Sequence, residues 1–265
     1  VFSDSTKGWI PISDDAVTNA PVEPGIKKGI FAYGNSGSAV SISNLVSNTG
    51  VVASDVTGVG TVRYDLAAAG YGADKAIFGY GYAGSHTSNF SMTNLVSNSG
   101  VVASDTSGVG TDRRGLAAAR YGTDKAIFAY GQGASGVVSL SNLVNSSGVV
   151  ASDVTGVGTA RNAVRGATYG TDKAIFAYGN PGPTSISNLV NNSGVVAADV
   201  TGVGTARFDL AATNYGASKA IFGYGDSGSY VSITNLVTNL GVVGSDVTGV
   251  GTARFGLAAA GYSLT

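Results

Sequence analysis

The chain has 265 residues, with 41 Gly, 5 Pro, no Cys, 12% charged residues and a formal net charge of −1. Near-neutrality without a basic run removes the electrostatic footprint of a nucleic-acid binder. The lack of Cys excludes a disulfide framework, a thiolate metal site and a cysteine nucleophile. Hydrophobic content of 43% excludes a solvated disordered chain, so Ser, Thr and Asn must make the polar surface.

In chain order, residues 1–25 come first. They hold the only Trp, Trp9, the only Glu, Glu23, and Pro11, Pro21 and Pro24. This stretch has neither the basic nor the apolar region of a signal peptide, and no later run approaches the roughly 20 apolar residues of a spanning helix, so no membrane insertion is expected. It also lacks an initiator Met, as a piece of a longer chain would. It reads as a non-repeat arm or linker that docks the rest of the chain to a larger assembly.

Residues 26–265 repeat. The string "GTVRYDLAAAGYGADKAIFGYG" starting at Gly60 returns around Arg113, Arg161 and Arg207, and its opening part returns as the last fifteen residues, "GTARFGLAAAGYSLT". The marker residues Arg63, Arg113, Arg161, Arg207 and Arg254 are spaced by 50, 48, 46 and 47. The segment after "YG" is "YAGSHTSNF", "QGASGVV", "NPGPT" or "DSGSYV" in those four units. Subtracting these nine, seven, five and six residues leaves 41 each time, so every length change falls in one loop. Such a period fits a four-stranded propeller blade or a helical pair.

Local chemistry separates the two. Taking residues 63–111, strand a is "RYDLAAAGY", b is "DKAIFGYG", c is "SMTNLVSNSG" and d is "VVASDTSGVGT". These segments are short, rich in Val, Ile, Phe and Tyr, and bounded by Gly, Asn, Asp and Ser, which is the pattern of strands and turns. Only "YDLAAAG" suggests a helix, and its brevity and Gly flanks argue against one. An Ala run instead suits the innermost strand, where blades converge on a narrow axis. The "IF-x-YG" strand occurs five times, at Phe31, Phe78, Phe128, Phe176 and Phe222. The fold class expected is therefore all-β: a five-bladed propeller of four-stranded blades. Blade one (26–62 plus 254–265) is completed by the C-terminal strand, with 254–262 hydrogen-bonded alongside 26–34 so that no sheet edge is left open. The other blades are 63–112, 113–160, 161–206 and 207–253.

An Arg opening a small-residue strand, followed by "KAIFGYG" and two further strands, resembles the kelch-type repeat. It departs from that pattern in having "YG" for the paired Gly, and Val and Thr in place of the Trp of the last strand. The unit is more similar to those of repeat-rich virion proteins of tailed bacteriophages, which read "GTAR..LAAA.YG.DKAIF.YG", and this resemblance covers about residues 26–265. It implies a virion-associated, tail-fibre or receptor-binding role, with other virion proteins as partners through the N-terminal arm. Five-bladed lectins of the tachylectin type are similar in architecture, and imply sugar binding between blades.

Catalysis is not expected. A glycosidase on this scaffold needs a few unlike carboxylates converging on the axis, whereas Asp55, Asp105, Asp153, Asp199 and Asp246 occupy one equivalent position in all five units. A residue copied into every unit serves the unit. These Asp are expected to accept turn or inter-blade hydrogen bonds, and the repeated Arg to pair with them or with backbone carbonyls. A lone imidazole, His86, argues against a transition-metal centre, and no cofactor is expected. Tyr33, Tyr80, Tyr130, Tyr178 and Tyr224 read as inter-blade core, with an outward aromatic platform as the alternative.

Variation between units concentrates in the b-to-c loop and just after the marker Arg, and both emerge on one rim. Loops on a rigid scaffold are where recognition resides. The candidate ligand-binding residues are Tyr82, His86, Asn89 and Phe90 of the longest loop, Gln132, Asn180, Asp226 and Tyr230 of the others, and Tyr64, Arg114, Asn162, Phe208 and Phe255 after the marker Arg. The expected function is non-catalytic binding of a glycan or another host-surface feature. A structural virion protein without ligand is the alternative, and a glycosidase-like enzyme is least favoured.

Overall fold

A computed structural model describes residues 2–4, 8–9, 28–84 and 88–261. These residues are all-β, with eighteen antiparallel strands and no helix. The chain divides into two compact units, residues 1–32 with 43–56 and residues 33–42 with 57–265.

The first unit contains a short hairpin of β1 (Phe2–Asp4) and β2 (Gly8–Trp9), in which Phe2 pairs with Trp9 along the backbone. It also holds the base of a second hairpin, β3 (Gly29–Asn35) with β4 (Ala39–Val46), whose tip belongs to the second unit. Residues 51–56 attach to β4 through isolated bridges, Val46 to Val52 and Ser43 to Val56.

The second unit is a succession of four three-stranded sheets. The first joins β5 (Ala67–Tyr71), β6 (Lys75–Gly79) and β7 (Thr93–Val96). The next joins β8 (Ala117–Tyr121), β9 (Lys125–Ala129) and β12 (Ser141–Val144), with the tiny hairpin β10 (Gln132–Gly133) and β11 (Gly136–Val137) in its b-to-c loop. The third joins β13 (Arg165–Tyr169), β14 (Lys173–Gly179) and β15 (Thr184–Val190), and the last β16 (Ala211–Tyr215), β17 (Lys219–Asp226) and β18 (Tyr230–Val237). In each, the "KAIF" strand is central and the Ala-rich strand lies on one side.

Why "KAIFAY" lacks the usual alternation is visible in its burial. Ala174, Ile175, Phe176 and Ala177 are all fully buried, because neighbouring sheets cover both faces of the central strand. The apolar clusters accordingly run from one sheet to the next, as where Tyr71, Ile77 and Tyr80 pack with Leu116, Phe128 and Val144. Each such Phe or Ile stabilises the fold by about 1.5–3 kcal/mol on burial. Adjacent Ala-rich strands are also stitched at both ends: the N–H of Gly115 donates to the carbonyl of Asp65, and that of Gly72 to Asp124. Ala side chains are what permit this approach.

One expectation needs correcting and a second is not shown. Segment d is not a fourth strand: "VVASDTSG" touches β7 only at isolated bridges, Val96 to Val102 and Thr93 to Thr106. Between these bridges the Asn94 side chain takes the ladder's place, donating to the carbonyl of Ala103 and to Asp105. The second concerns closure. Residues 251–261 form no strand, and β3 and β4 make a two-stranded sheet, so the expected pairing of 254–262 with 26–34 is absent among the described residues. Residues 26–27 and 262, like most of the 1–25 arm, lie outside them.

Candidate functional site

The repeated polar residues assemble one clamp per junction. Arg161 is almost fully buried. Its Nε donates to the carbonyl of Tyr178 at 2.9 Å, Nη1 to that of Thr159 at 2.9 Å and Nη2 to Oδ1 of Asn188 at 2.6 Å. The same guanidinium lies 4.3 Å over the ring of Tyr130 in the preceding unit. Arg63 and Arg207 make the corresponding contacts, and Arg113 donates to Thr111 and Asn142 and lies over Tyr80. Arg254 keeps its place over Tyr224 and its bond to the carbonyl of Thr252.

Asp199 completes the clamp, 4.0 Å from Arg161. Its carboxylate accepts from the backbone N–H of Thr159 at 3.0 Å, from the Thr159 hydroxyl at 2.6 Å and from Asn188 at 2.9 Å. Burial alone would raise its pKa, but the bonds from Thr159 and Asn188 outweigh burial and hold it below the usual carboxylate range. Asp105, Asp153 and Asp246 behave alike. In the first unit Asp55 accepts from Asn44. Gly158 is required beside this carboxylate: its φ is +73°, and a Cβ there would overlap Oδ1 of Asp199.

The tyrosines point inward. Tyr80, Tyr130 and Tyr178 are fully buried and Tyr33 nearly so, each ring packing against the Phe of the next unit, as Tyr130 does with Phe176 at 5.7 Å. Burial pushes the hydroxyls of Tyr80, Tyr130 and Tyr178 up to about 12, so they stay neutral donors. All five adopt positive φ, between 63° and 67°. That conformation costs a non-Gly residue about 1–2 kcal/mol. Here it aims the Tyr carbonyl at the Arg of its own unit, while the next N–H reaches the following unit's Arg carbonyl, as Gly179 does to Arg207. The Asn of "NLV" and the Thr two residues before each marker Arg went unrecognised as clamp residues, although both recur in every unit.

The variable residues meet in pairs. Backbone bridges join Tyr64 to Tyr82, Arg114 to Gln132, Asn162 to Asn180 and Phe208 to Asp226, so in these four units the position after the marker Arg faces the first residue of its b-to-c loop. Tyr64 and Tyr82 rings lie 4.2 Å apart, and the Arg114 guanidinium sits 4.4 Å over Tyr82. The hydrogen bond with Tyr64, with burial, raises Tyr82 to about 12. Asn89 links loops by donating to the carbonyl of Gln132 at 3.1 Å, and Phe90 is half-buried with its N–H on Gly81. Tyr230 and Phe255 stack at 4.6 Å while both remain exposed. Asp226 caps its own loop by accepting from the N–H of Gly228. His86 lies outside the described residues.

The Ala-rich strands line a cavity of about 550 Å³. Of the variable residues it gathers Arg114, Asn162, Asn180 and Phe208, whereas Tyr64, Tyr82, Gln132, Asp226, Tyr230 and Phe255 stay outside its lining. It adds three charged groups outside the candidate ligand-binding set: Asp65, Arg165 and Asp209. Arg165 and Asp209 form an ion pair at 3.6 Å. The surrounding protein, and then the charge of Asp209, hold the carboxyl of Asp65 above its usual range, and the attraction of Arg114 and Arg165 only partly offsets this. The available signal was Arg165, the residue that takes the place of Ala67, Ala117, Ala211 and Ala258 in the other units.

Among the described residues no group of three or more His, Asp or Glu is placed to hold a metal ion. The chain matches no known family model and no curated protein.

Proposed function

We propose that the chain is a non-catalytic recognition module of a phage particle, binding a carbohydrate or another host-surface feature through the paired variable residues of one rim. The observation that carries this reading is the bridging of Tyr64 to Tyr82, Arg114 to Gln132, Asn162 to Asn180 and Phe208 to Asp226. Two stretches far apart in each unit vary, and their variable members are adjacent on a framework whose clamp recurs from unit to unit. Aromatic and amide groups dominate the pairs, which suits the apolar faces and hydroxyls of sugars. Several weak sites on one rim gain strength by avidity.

The framework under this reading is a five-bladed ring closed by the C-terminal segment. Two complementary edges support it. Phe31 on β3 is 61% exposed where its counterparts Phe128, Phe176 and Phe222 are at 0%, and Ala258, Ala259 and Ala260 are exposed where their counterparts line a sheet. Each edge lacks the neighbour that the repeat supplies elsewhere.

A glycan array with purified protein tests the function. Specific binding that disappears when Tyr82, His86 and Phe90 are all changed to Ala is the expected result, and failure to bind any glycan or host cell overturns it. A second reading, a structural virion protein without ligand, is favoured by one observation. Val51, Val101, Val149, Val195 and Val242 are each at least 60% exposed, an apolar position repeated from unit to unit and suited to packing against other subunits.

A further inference from the structure

We propose that the cavity lined by the Ala-rich strands, which shares Arg114, Asn162, Asn180 and Phe208 with the variable pairs, is a second binding site for a small hydroxylated molecule carrying a protonated amine, of the amino-sugar class. Its basis is a break in the repeat. Groups that serve each unit recur in each unit, but the charges of this cavity do not. The position of Asp65 is Gly115, Ala163, Asp209 and Gly256 in the other units, and that of Arg165 is Ala in all of them. A single asymmetric cluster therefore sits where the units otherwise agree, inside a space of about 550 Å³. Small-molecule sites occupy about 300–1,000 Å³.

The charges select the ligand. Arg165 is committed twice, its Nη2 to Asp209 at 3.6 Å and its Nη1 to the carbonyl of Val164 at 3.0 Å. Arg114 lies over the ring of Tyr82. Both guanidiniums that attract Asp65 also have partners of their own, and Asp65 is an exposed residue of the cavity lining. An ammonium group placed there gains a charge-assisted hydrogen bond to Asp65. Asn162 supplies an amide for a hydroxyl at the mouth, and Ala68, Ala118 and Ala212 leave room for a sugar ring without bulky side chains to displace. Asp65 has a positive φ of 53°. Asp tolerates this conformation, but Gly and Asn suit it as well, so the backbone does not demand a carboxylate.

Isothermal titration calorimetry with glucosamine, N-acetylglucosamine and glucose near pH 7 tests the proposal. Glucosamine is expected to bind the wild-type chain, with the two neutral sugars at least tenfold weaker. Asp65→Asn is expected to weaken glucosamine at least tenfold. Asp65→Gly installs the residue already found at 115 and 256, and gives the same answer if the Asn variant folds poorly. Tyr230→Ala, on the rim and outside the cavity, is expected to leave glucosamine binding unchanged, so rim and cavity fail separately. Equal binding of the three sugars, no binding of glucosamine, or undiminished binding to Asp65→Gly overturns the proposal.

Discussion

At the scale of single residues the clamp Arg is the most demanding position in the chain. A buried guanidinium is tolerated only when its charge and its donors are met, and Arg161 meets them with two carbonyls, an amide oxygen, a carboxylate at 4.0 Å and a tyrosine face. Lysine has the charge but not the planar fork, and cannot reach these partners together. Arg161→Lys is therefore expected to cost about 3 kcal/mol, read as a lower urea midpoint. Arg254→Lys should cost under about 1 kcal/mol, since Arg254 is exposed and surface interactions are weak. Equal losses in the two variants would contradict the burial argument. The role of Arg was legible from its recurrence alone. Its chief partner, Asn188, was not, because an Asn inside "SNLV" looks like any polar residue on the outer face of a strand.

At the scale of elements, strands a, b and c could be placed from composition and turn residues, and segment d could not. Val, Thr and Ser give d the β-propensity of a strand, yet in each unit a side chain, such as Asn94 on the carbonyl of Ala103, replaces part of its ladder. Propensity describes fit to a pleated surface, and carries no information about which group supplies the hydrogen bonds. The a-to-b turn was legible only in part. Its central residues Ala73, Thr123 and Thr171 have φ of 66° to 70°, which no reading of "YGTDK" requires of a β-branched residue. Thr123 is exposed, so its strain has little compensation. Thr123→Gly is expected to stabilise by about 0.5–1 kcal/mol, the relief of the left-handed conformation less the entropy of a freer unfolded chain. The melting temperature should rise by about 2 °C, and a fall would show that the Thr side chain holds the turn.

At the scale of the whole molecule, the unvarying 41-residue remainder made the repetition legible before any strand was placed, because a fixed remainder means that one framework is rebuilt each time. The variable positions that meet in pairs were legible for the same reason. The cavity was not: Asp65, Arg165 and Asp209 lie in different units, and only packing brings them to one space. Closure of the ring is open to a direct test, since the chain has no Cys of its own. In the other sheets Ala68, Ala118 and Ala212 face Phe78, Phe128 and Phe222. The proposed closure, in the same register, would set Ala259 opposite Phe31. The double variant Phe31→Cys, Ala259→Cys is expected to form an internal disulfide under mild oxidation, seen as faster migration on a non-reducing gel. Absence of the cross-link would refute closure.

The sameness of the clamp carries a hazard for folding. Arg113 would fit the face of Tyr130 as well as that of Tyr80, its own partner at 4.4 Å, because every junction offers the same socket. Local chemistry thus does not tell a module which neighbour to choose, and a mispaired array could satisfy nearly every hydrogen bond. Correct order must come from the short tether between consecutive modules and from the few idiosyncratic contacts. The ion pair of Arg165 and Asp209 marks one seam out from the rest.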